Sequence, residues 1–346
     1  TTIQSIVVQV GRTGVLTPVA ELAPVPCSGV TISRATLHNF DEVERLGVDV
    51  GDTVLIERAG DVIPKIIKVV QKKHSGQKSF SAPKKCPVCQ TNIVKENVDG
   101  VMYRCPNVQC PKQLERGILH FASRGAMDIV GMGDAVVRQL MEEGLIKSLD
   151  DIYSLSKDQL LTLELFKEKK AANLFQSIQR SKGKPLSRLL FGFGIPNVGQ
   201  KAAKILAARF KNLDQLMRAG QEDLVGIPEI GPVMGQSVVN FFKNSANQKM
   251  IEGLKSAGLN TAQDNLQEKQ SMKFTGKKFV FTGELSAFTR SSARELVEVN
   301  GGEVIASVSK NTDFVVVGRS PGSKLQKAEA LNLTILNETQ FKELLQ

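Results

Sequence analysis

Alternating apolar and polar positions fill the first 75 residues and predict a small β structure. Short β-rich runs are separated by turns that contain glycine, and one helix-like insert, NFDEVERLG, precedes the last two runs. About five strands with one helix between the third and the fourth is the order of an OB barrel, whose strand face and loops often receive nucleic acid. We predict such a barrel over residues 1–75; a barrel without a ligand is the alternative. The runs are SIVVQV, VTISRATL, DTVLIER and KIIKVV.

The pattern becomes helical over residues 113–264, where a two-helix unit recurs. Its marker positions, Gly133, Lys167, Gly199 and Gly231, are 34, 32 and 32 residues apart. Tetratricopeptide arrays share this period, but their aromatic landmarks are missing, and the phrases GIPNVG and GIPEIG favour four helix-hairpin-helix units. A small or β-branched residue stands four positions after each marker: Val137, Ala171, Ala203 and Gly235.

These hairpins have the chemistry of phosphate sites. A helix that begins at glycine lets an anion approach its free N–H donors, and the helix dipole favours the same charge. The second unit has Leu165 and Lys167 where glycines are expected, which predicts a packing role, or a contact through Lys167, Lys169 or Lys170. A purely structural helical bundle is the alternative. The expected DNA-binding glycines are Gly131, Gly133, Gly194, Gly199, Gly226 and Gly231.

Four cysteines in the segment CPVCQTNIVKENVDGVMYRCPNVQC have the spacing of a metal site. Cys86 with Cys89, and Cys105 with Cys110, can each place two thiolates on one side of a turn. Two such pairs complete a tetrahedral Zn²⁺ site without an open position, so we predict a structural zinc finger over residues 76–112. Two disulfides and a redox pair are the alternatives, although no secretion signal is visible.

Residues 265–346 begin with a polar linker and continue as alternating strands and helices. Apolar runs such as FVVVG suit buried strands, so the order predicts a mostly parallel sheet with helices on its faces. Thr289 or Ser291 is expected to cap the first helix, and Glu338 and Thr339 to begin the last one. We predict a separate small α/β domain, with strands that include EVIASVS and TDFVVVG.

Composition favours an anionic partner. The 346 residues carry a net charge of +10, and the basic excess lies mainly within residues 76–264. No apolar run is long enough to span a membrane and no leader is visible, so we expect a cytoplasmic chain. A nuclease would need clustered carboxylates to hold metal ions, whereas the acidic residues are scattered. The three histidines are isolated in sequence, and we interpret His38 as packing or hydrogen bonding within the barrel rather than acting as a general base.

The four segments, in this order, resemble the C-terminal portion of bacterial NAD-dependent DNA ligase. The first carries phrases of that family: QVGRTGVLTPVAELAPV, SRATLHNFDE and RAGDVIPKI. The last resembles a BRCT domain through FTGEL, Gly301 with Gly302, and GSKLQKAEAL, with Phe341 where many such domains have Trp. The expected fold class is multidomain: an OB β-barrel, a four-cysteine zinc finger, an all-α helix-hairpin-helix domain and an α/β BRCT domain.

The resemblance implies an enzyme that joins a 5′-phosphate to a 3′-hydroxyl at a nick in double-stranded DNA, using NAD⁺ and Mg²⁺. The family's nucleophilic lysine lies in a Lys-x-Asp-Gly motif, and the nearest stretch here, KENVDG, has the wrong spacing. We therefore expect this chain to lack the nucleotidyltransferase domain, to have no catalytic residue of its own and not to self-adenylate. A non-enzymatic repair adaptor built from the same modules is the alternative.

The same resemblance assigns binding roles. It places Arg12 and Thr13 at the minor groove near the nick. It also implies that the helix-hairpin-helix turns contact the phosphates of the DNA backbone without sequence preference, so that the chain acts as a clamp on the duplex. In the BRCT segment it assigns a phosphate site to Thr282, Gly283 and Lys327, for a DNA end or a phosphoprotein; a mobile accessory is the other interpretation. The expected partner is nicked duplex DNA, bound by a monomer in the bacterial cytoplasm at the nucleoid.

Overall fold

The computed structural model describes residues 1–27, 29–59, 63–73, 80–95, 100–262 and 273–345. The chain forms two compact units, Thr1–Gln263 and Asp264–Gln346. Most of the predicted linker lies outside the described residues. No helix among the described residues is both long and apolar enough to cross a bilayer.

A five-stranded sheet closed on itself begins the first unit. Its strand order is β1-β2-β3-β5-β4. The Ile3 N–H donates to the Asp52 carbonyl at 3.0 Å and the Val54 N–H donates to the Thr1 carbonyl at 2.7 Å, which joins the first strand to the fourth. One helix, α1 (Phe40–Leu46), lies between the third and the fourth strand, as predicted for an OB barrel. The strands are β1 (Ile3–Val10), β2 (Leu16–Cys27), β3 (Val30–Thr36), β4 (Thr53–Ala59) and β5 (Ile63–Gln71).

Strand β2 was not among the runs read from the sequence. It contains Pro18, Pro24 and Pro26, and proline has no N–H for a strand ladder, so a run that contains it predicts an edge or a loop. The structure nevertheless pairs β2 with both β1 and β3, with a shift of register between Glu21 and Val25. Its own residues Ala20 and Leu22 are buried in the barrel core and hold the strand in place.

Four helical units follow with one shared backbone geometry. Each marker residue is the extended N-cap of a helix. Two residues before it the backbone is left-handed, with φ of 97°, 61°, 65° and 71° in chain order. The apolar residue directly before each marker is buried, and the residue four positions after it donates its N–H to the marker's carbonyl. The left-handed residues are Gly131, Leu165, Asn197 and Glu229.

The predicted repetition is therefore confirmed in three dimensions, including the second helical unit, whose marker position holds Lys167 in place of glycine. One continuous apolar core runs through all four units. A short 3₁₀ helix, Asp150–Ser154, joins the first two units. The α-helices are α2 (Pro111–Ala122), α3 (Asp134–Glu142), α4 (Lys157–Leu161), α5 (Glu168–Ser181), α6 (Leu186–Gly192), α7 (Gln200–Phe210), α8 (Leu213–Arg218), α9 (Gln221–Val225), α10 (Pro232–Lys243) and α11 (Ser245–Ser256).

The second compact unit contains a four-stranded parallel sheet in the order β11-β10-β8-β9, in agreement with the prediction. The expected strand EVIASVS is shorter than predicted, because only Glu303–Val304 pairs with the sheet. Thr289 caps the first helix by accepting the Ser292 N–H. The elements are β8 (Lys278–Thr282), α12 (Arg290–Val299), β9 (Glu303–Val304), β10 (Phe314–Val317), α13 (Ser323–Ala330), β11 (Thr334–Asn337) and α14 (Glu338–Leu345).

Phe341 fills the place at which the resemblance predicted a Trp. Its side chain is fully buried on α14. The centroid of its ring lies 5.5 Å from that of Phe281, 5.8 Å from that of Phe288 and 6.2 Å from that of Phe279, all at steep interplanar angles. These are favourable edge-to-face arrangements, so the smaller ring still anchors the last helix to the sheet.

Two carboxylates of this unit are expected to make its stability depend on pH. The Ser286 and Ala287 N–H groups donate to Glu338 and hold its pKa below the ordinary 4.5; the Lys278 N–H, followed by the Lys277 ammonium, holds the pKa of Asp313 below 3.8. Because both folded pKa values are depressed, the stabilisation is complete above the ordinary values and is lost as pH falls through the folded ones. The protection factors of the β8 and β10 amides, which correct for the intrinsic pH dependence of exchange, should fall below about pH 4.

The variant Glu338→Gln should weaken this acid dependence. The matched control is Glu343→Gln, which neutralises an exposed carboxylate on the same helix. Identical acid profiles for Glu338→Gln and the parent chain would contradict the assigned role of Glu338.

Candidate metal centre and nucleic-acid interface

The four predicted cysteines converge at one point. All four sulfur atoms lie within 4.8 Å of one another. The Sγ atoms of Cys86 and Cys110 are 4.0 Å apart and those of Cys89 and Cys105 are 3.5 Å apart. Both distances exceed a disulfide bond and are close to the edge of about 3.8 Å that a tetrahedral zinc site with bonds of about 2.3 Å requires. The arrangement fits a four-thiolate zinc site and not the disulfide alternative.

Local backbone turns present the thiols. The Cys86 N–H donates to the Thr91 carbonyl at 2.8 Å, and Gln90, with φ of 60°, donates to the Cys86 carbonyl at 3.0 Å. On the other side, Cys110 is the N-cap of α2, and its N–H donates to the Asn107 carbonyl at 3.0 Å. The short strands β6 (Val94–Lys95) and β7 (Tyr103–Arg104) pair between the two turns. The second turn therefore continues directly into the helical segment.

Two of the four thiols are poorly placed to ionise without a cation. Burial raises the pKa of Cys105 to about 12 and also raises the pKa of Cys110. A hydrogen bond with the Thr91 hydroxyl lowers the pKa of Cys89 to about 6. Zinc binds the thiolate form, so a bound ion supplies the charge that keeps buried sulfurs deprotonated.

The QVGRTG turn of the barrel lies against this finger. The Cys105 N–H donates to the Gly14 carbonyl at 2.9 Å, and the Arg104 guanidinium donates to the Thr13 carbonyl at 2.5 Å. Gly14 has φ of 81°, and a Cβ there would lie 2.4 Å from the Cys105 carbonyl oxygen of the facing chain. The turn that carries the predicted Arg12 and Thr13 is thus positioned by a metal-ligand residue.

Arg12 and Gly194, both predicted to contact DNA, contact each other in the structure. The Arg12 guanidinium donates to the Gly194 carbonyl, and burial lowers the pKa of Arg12. Gly194 has φ of 65°, and a Cβ there would collide with the guanidinium. Nearby, the Nε2 atom of His120 is hydrogen-bonded to the Phe191 carbonyl at 2.7 Å, and burial lowers the pKa of His120. This glycine therefore serves the contact between the barrel and the third helical unit.

The variant Gly194→Ala should destabilise the first compact unit, Thr1–Gln263. A left-handed backbone is unfavourable for alanine by about 1–2 kcal/mol, and the added methyl group displaces Arg12 as well. We expect a thermal unfolding midpoint several degrees lower, since about 1 kcal/mol shifts a unit of this size by about 2–4 °C. Gly199→Ala, at a position with φ of −83° and open space around the Cβ, is the control. Equal midpoints for the two variants would contradict the Arg12 contact.

Three other glycines leave room for a ligand. At Gly133, Gly199 and Gly231 a Cβ would meet no atom within 4 Å. Each is the N-cap of a helix of at least nine residues, so the first N–H donors of α3, α7 and α10 have no partner inside the helix. The structure places the other two hairpin glycines differently: Gly131 takes the left-handed position beside Leu174, and Gly226 ends α9.

The hairpins are arranged in two pairs. In the first pair, the Val130 N–H donates to the Ser177 hydroxyl at 2.8 Å, which joins hairpin one to the helix of unit two. In the second pair, Asn197 donates to the Ser237 hydroxyl at 3.1 Å, and Lys201 forms an ion pair with Glu229. The open N-caps of α7 and α10 therefore belong to neighbouring hairpins.

In the second compact unit, which contains the parallel sheet, a cavity of about 750 Å³ brings two of the predicted phosphate residues together. Thr282 and Gly283 line it, and Thr282 is 4% exposed. Gly283 has φ of 78°, and a Cβ there would lie 2.6 Å from the Arg319 carbonyl oxygen, so its glycine is required by the fold itself. The lysine that lines the described part of this cavity is Lys324, and the exposed Lys327 lies outside the lining. Two arginines that the sequence analysis missed, Arg290 and Arg319, also line the cavity, and with Lys324 they outnumber its one acidic residue, Glu284.

Comparison with protein families gives matches along most of the chain. Residues 1–78 match the NAD-dependent DNA ligase OB-fold domain, and residues 85–111 match the NAD-dependent DNA ligase C4 zinc finger domain. Residues 124–180 match a SAM-like helix-hairpin-helix tandem and residues 188–251 a helix-hairpin-helix motif. Residues 269–345 match the BRCA1 C-terminus (BRCT) domain.

Curated relatives named DNA ligase align with the whole chain. That of Halothermothrix orenii is 48% identical over 348 residues, covering 100% of this chain and 52% of the relative. That of Endomicrobium trichonymphae is 49% identical over 99% of this chain and 50% of the relative, and that of Geobacter metallireducens 47% over 100% and 51%. The chain spans about half the length of the curated relatives it matches. In sequence and in domain content it is the counterpart of the C-terminal portion of NAD-dependent DNA ligases.

Proposed function

We propose that this chain is the DNA-binding clamp portion of an NAD-dependent DNA ligase that seals single-strand nicks during replication and repair. The observation that carries the proposal is the open space at Gly133, Gly199 and Gly231, because it leaves helix N–H donors accessible in one repeated geometry. The relatives' name supports the ligase assignment. The chain would act in the cytoplasm, as a monomer.

In this proposal each open N-cap binds one backbone phosphate of the flanking duplex. Such contacts carry no sequence information, which suits an enzyme that must seal any nick. The net charge of +10 adds attraction at long range. Thr13, held by the finger, faces the minor groove, while Arg12 connects the barrel to hairpin three. Structural zinc held by Cys86, Cys89, Cys105 and Cys110 fixes this arrangement.

Binding to nicked and intact duplexes, with zinc present, tests the clamp directly. We expect submicromolar binding at low salt that weakens steeply as salt rises, since each neutralised phosphate contributes about −0.9 to the log–log slope. Equal affinity for both duplexes would assign nick recognition to residues beyond this chain. Failure to bind either duplex would overturn the clamp proposal.

Chemistry with NAD⁺ and Mg²⁺ is assigned to the parent enzyme. The 346 residues contain no Lys-x-Asp-Gly motif, so incubation with NAD⁺ and Mg²⁺ should give no adenylated product by mass spectrometry. Fusion to the N-terminal half of the Halothermothrix orenii ligase should restore sealing. An adaptor without enzymatic parentage would bind nicked DNA but yield an inactive fusion.

Phosphate binding by the second compact unit is a second candidate function. Thr282 is nearly fully buried at a cavity rimmed by Arg290, Arg319 and Lys324. The ligand would be a phosphorylated DNA end or a phosphoprotein. If Lys324 binds it, Lys324→Ala should weaken binding of a 5′-phosphorylated duplex or a phosphopeptide, and Lys327→Ala should not. The reverse result would restore the assignment to Lys327.

A further inference from the structure

A groove between the first two hairpins has features that phosphate binding does not require. It is bounded by Val130 and Gly131 of hairpin one and by Leu165, Phe166 and helix α5 of unit two, and it encloses about 780 Å³. This size is in the range of pockets that hold a ligand or a few side chains. We call it the Leu165 groove.

Its floor is apolar and accessible. Leu165 is 81% exposed and Val130 is 72% exposed, both much more than a typical core residue, while Phe166 and Leu174 are buried beneath them. Two large apolar side chains side by side in a concave surface form a patch rather than isolated exposed residues.

Its rim is cationic and lacks carboxylates. The cations are Lys167, Lys169, Lys170 and Arg180, and none of the lining residues is acidic. In the part of the chain that the structure describes, none of the four forms an ion pair; the Lys170 ammonium lies 4.1 Å from the centroid of the Phe166 ring. These charges are therefore available to an acidic partner.

Leu165 occupies a backbone position that disfavours it. Its φ is 61°, and the equivalent positions in the other three units hold Gly131, Asn197 and Glu229. Leucine is the one large apolar residue at this position of the repeat, and it is conformationally strained there. An exposed apolar side chain kept in a strained turn points to a contact made by that side chain.

We propose that the Leu165 groove binds a segment of a partner protein that carries acidic residues around one large apolar side chain. The apolar side chain would enter between Val130 and Leu165, and the carboxylates would meet the lysines of the rim. Duplex DNA fits this groove less well, because its exposed surface is phosphate and the second hairpin lacks the glycines that allow close approach of a phosphate. The proposal goes beyond the clamp function.

Selection of a random peptide library displayed on phage against the zinc-loaded chain tests the proposal. We expect enriched peptides with aspartate or glutamate around a leucine, phenylalanine or tryptophan. A synthetic labelled copy should bind Leu165→Asn at least about tenfold more weakly, since asparagine accepts the left-handed backbone but loses the apolar contact. Val233→Asn, which removes an apolar side chain that is 72% exposed in hairpin four, is the matched control and should change little.

The role of charge is tested separately. Lys169→Ala/Lys170→Ala should weaken peptide binding by about tenfold, while Lys243→Ala/Lys249→Ala, which removes two cations elsewhere, should not. Enriched peptides without acidic residues, or peptides that bind Leu165→Asn normally, would overturn the proposal. Loss of nicked-duplex binding by Leu165→Asn with no peptide enriched would reassign the groove to DNA. Nick binding is measured apart from peptide binding, so either proposal can fail while the other stands.

Discussion

Removal of zinc is expected to unfold the finger and to abolish nick binding while the helical core stays folded. Structural zinc contributes on the order of 10 kcal/mol in small fingers. Without it, Cys105 no longer holds the Gly14 carbonyl, and the turn that carries Arg12 and Thr13 loses its support. A strong chelator, or Cys105→Ser, should expose residues 80–95 and 100–110 to fast amide exchange. Helices α7 and α10, packed in a separate apolar core, should keep their protection.

Two controls separate this effect from general damage. Cys27→Ser changes a half-buried cysteine outside the cluster and should leave both zinc content and DNA affinity unchanged. Addition of zinc to the chelated protein should restore exchange protection and DNA binding together. A zinc-free chain that binds nicked duplex as tightly as the loaded one would show that the finger does not position the clamp.

Aspartate at the open N-caps is expected to change stability and DNA affinity in opposite directions. In Gly199→Asp and Gly231→Asp, the carboxylate can accept the free N–H groups and favours the helix dipole, which should stabilise the fold by a few tenths to about 1 kcal/mol. The same carboxylate occupies the donors that a phosphate needs and repels it. Each change should weaken nicked-duplex binding about tenfold or more, because a hydrogen bond to a charged group is worth about 1.5–3 kcal/mol.

Asn212→Asp is the control for added negative charge. Asn212 is the N-cap of α8 and lies at the far end of α7 from Gly199, about 16 Å away along the helix. Its substitution should alter affinity by about twofold or less through screened electrostatics. If all three aspartate variants bind DNA alike, the N-caps of α7 and α10 do not hold phosphate.

Local chemistry explains which features could be predicted from the sequence. Each pair of finger cysteines is presented by its own short turn, so spacing alone indicated the cluster. Each helical unit needs a left-handed residue, an extended N-cap and a small or β-branched residue at fixed offsets, so the repeat was visible even where Lys167 replaces glycine. Period and turn chemistry are short-range properties, and the structure preserves them.

Features that depend on residues far apart in sequence could not be predicted in this way. Arg12 contacts Gly194 across 182 positions, so the sequence assigned both to DNA without showing that they contact each other. The choice between Lys324 and Lys327 depends on which face of α13 meets the cavity of the second unit. Strand β2 was missed because its prolines weaken the strand pattern, while pairing on both sides stabilises it.

The salt dependence of nicked-duplex binding by the parent chain and by the double variant Gly199→Asp/Gly231→Asp tests the central claim most directly. If the two N-caps each hold one phosphate, the variant should bind more weakly at every salt concentration, and its log–log slope should be shallower because each aspartate places a negative charge beside a phosphate. Thermal unfolding midpoints at or above that of the parent chain would show that the fold is intact. Equal slopes and equal affinities for the two proteins would contradict the claim that these hairpins hold the DNA backbone.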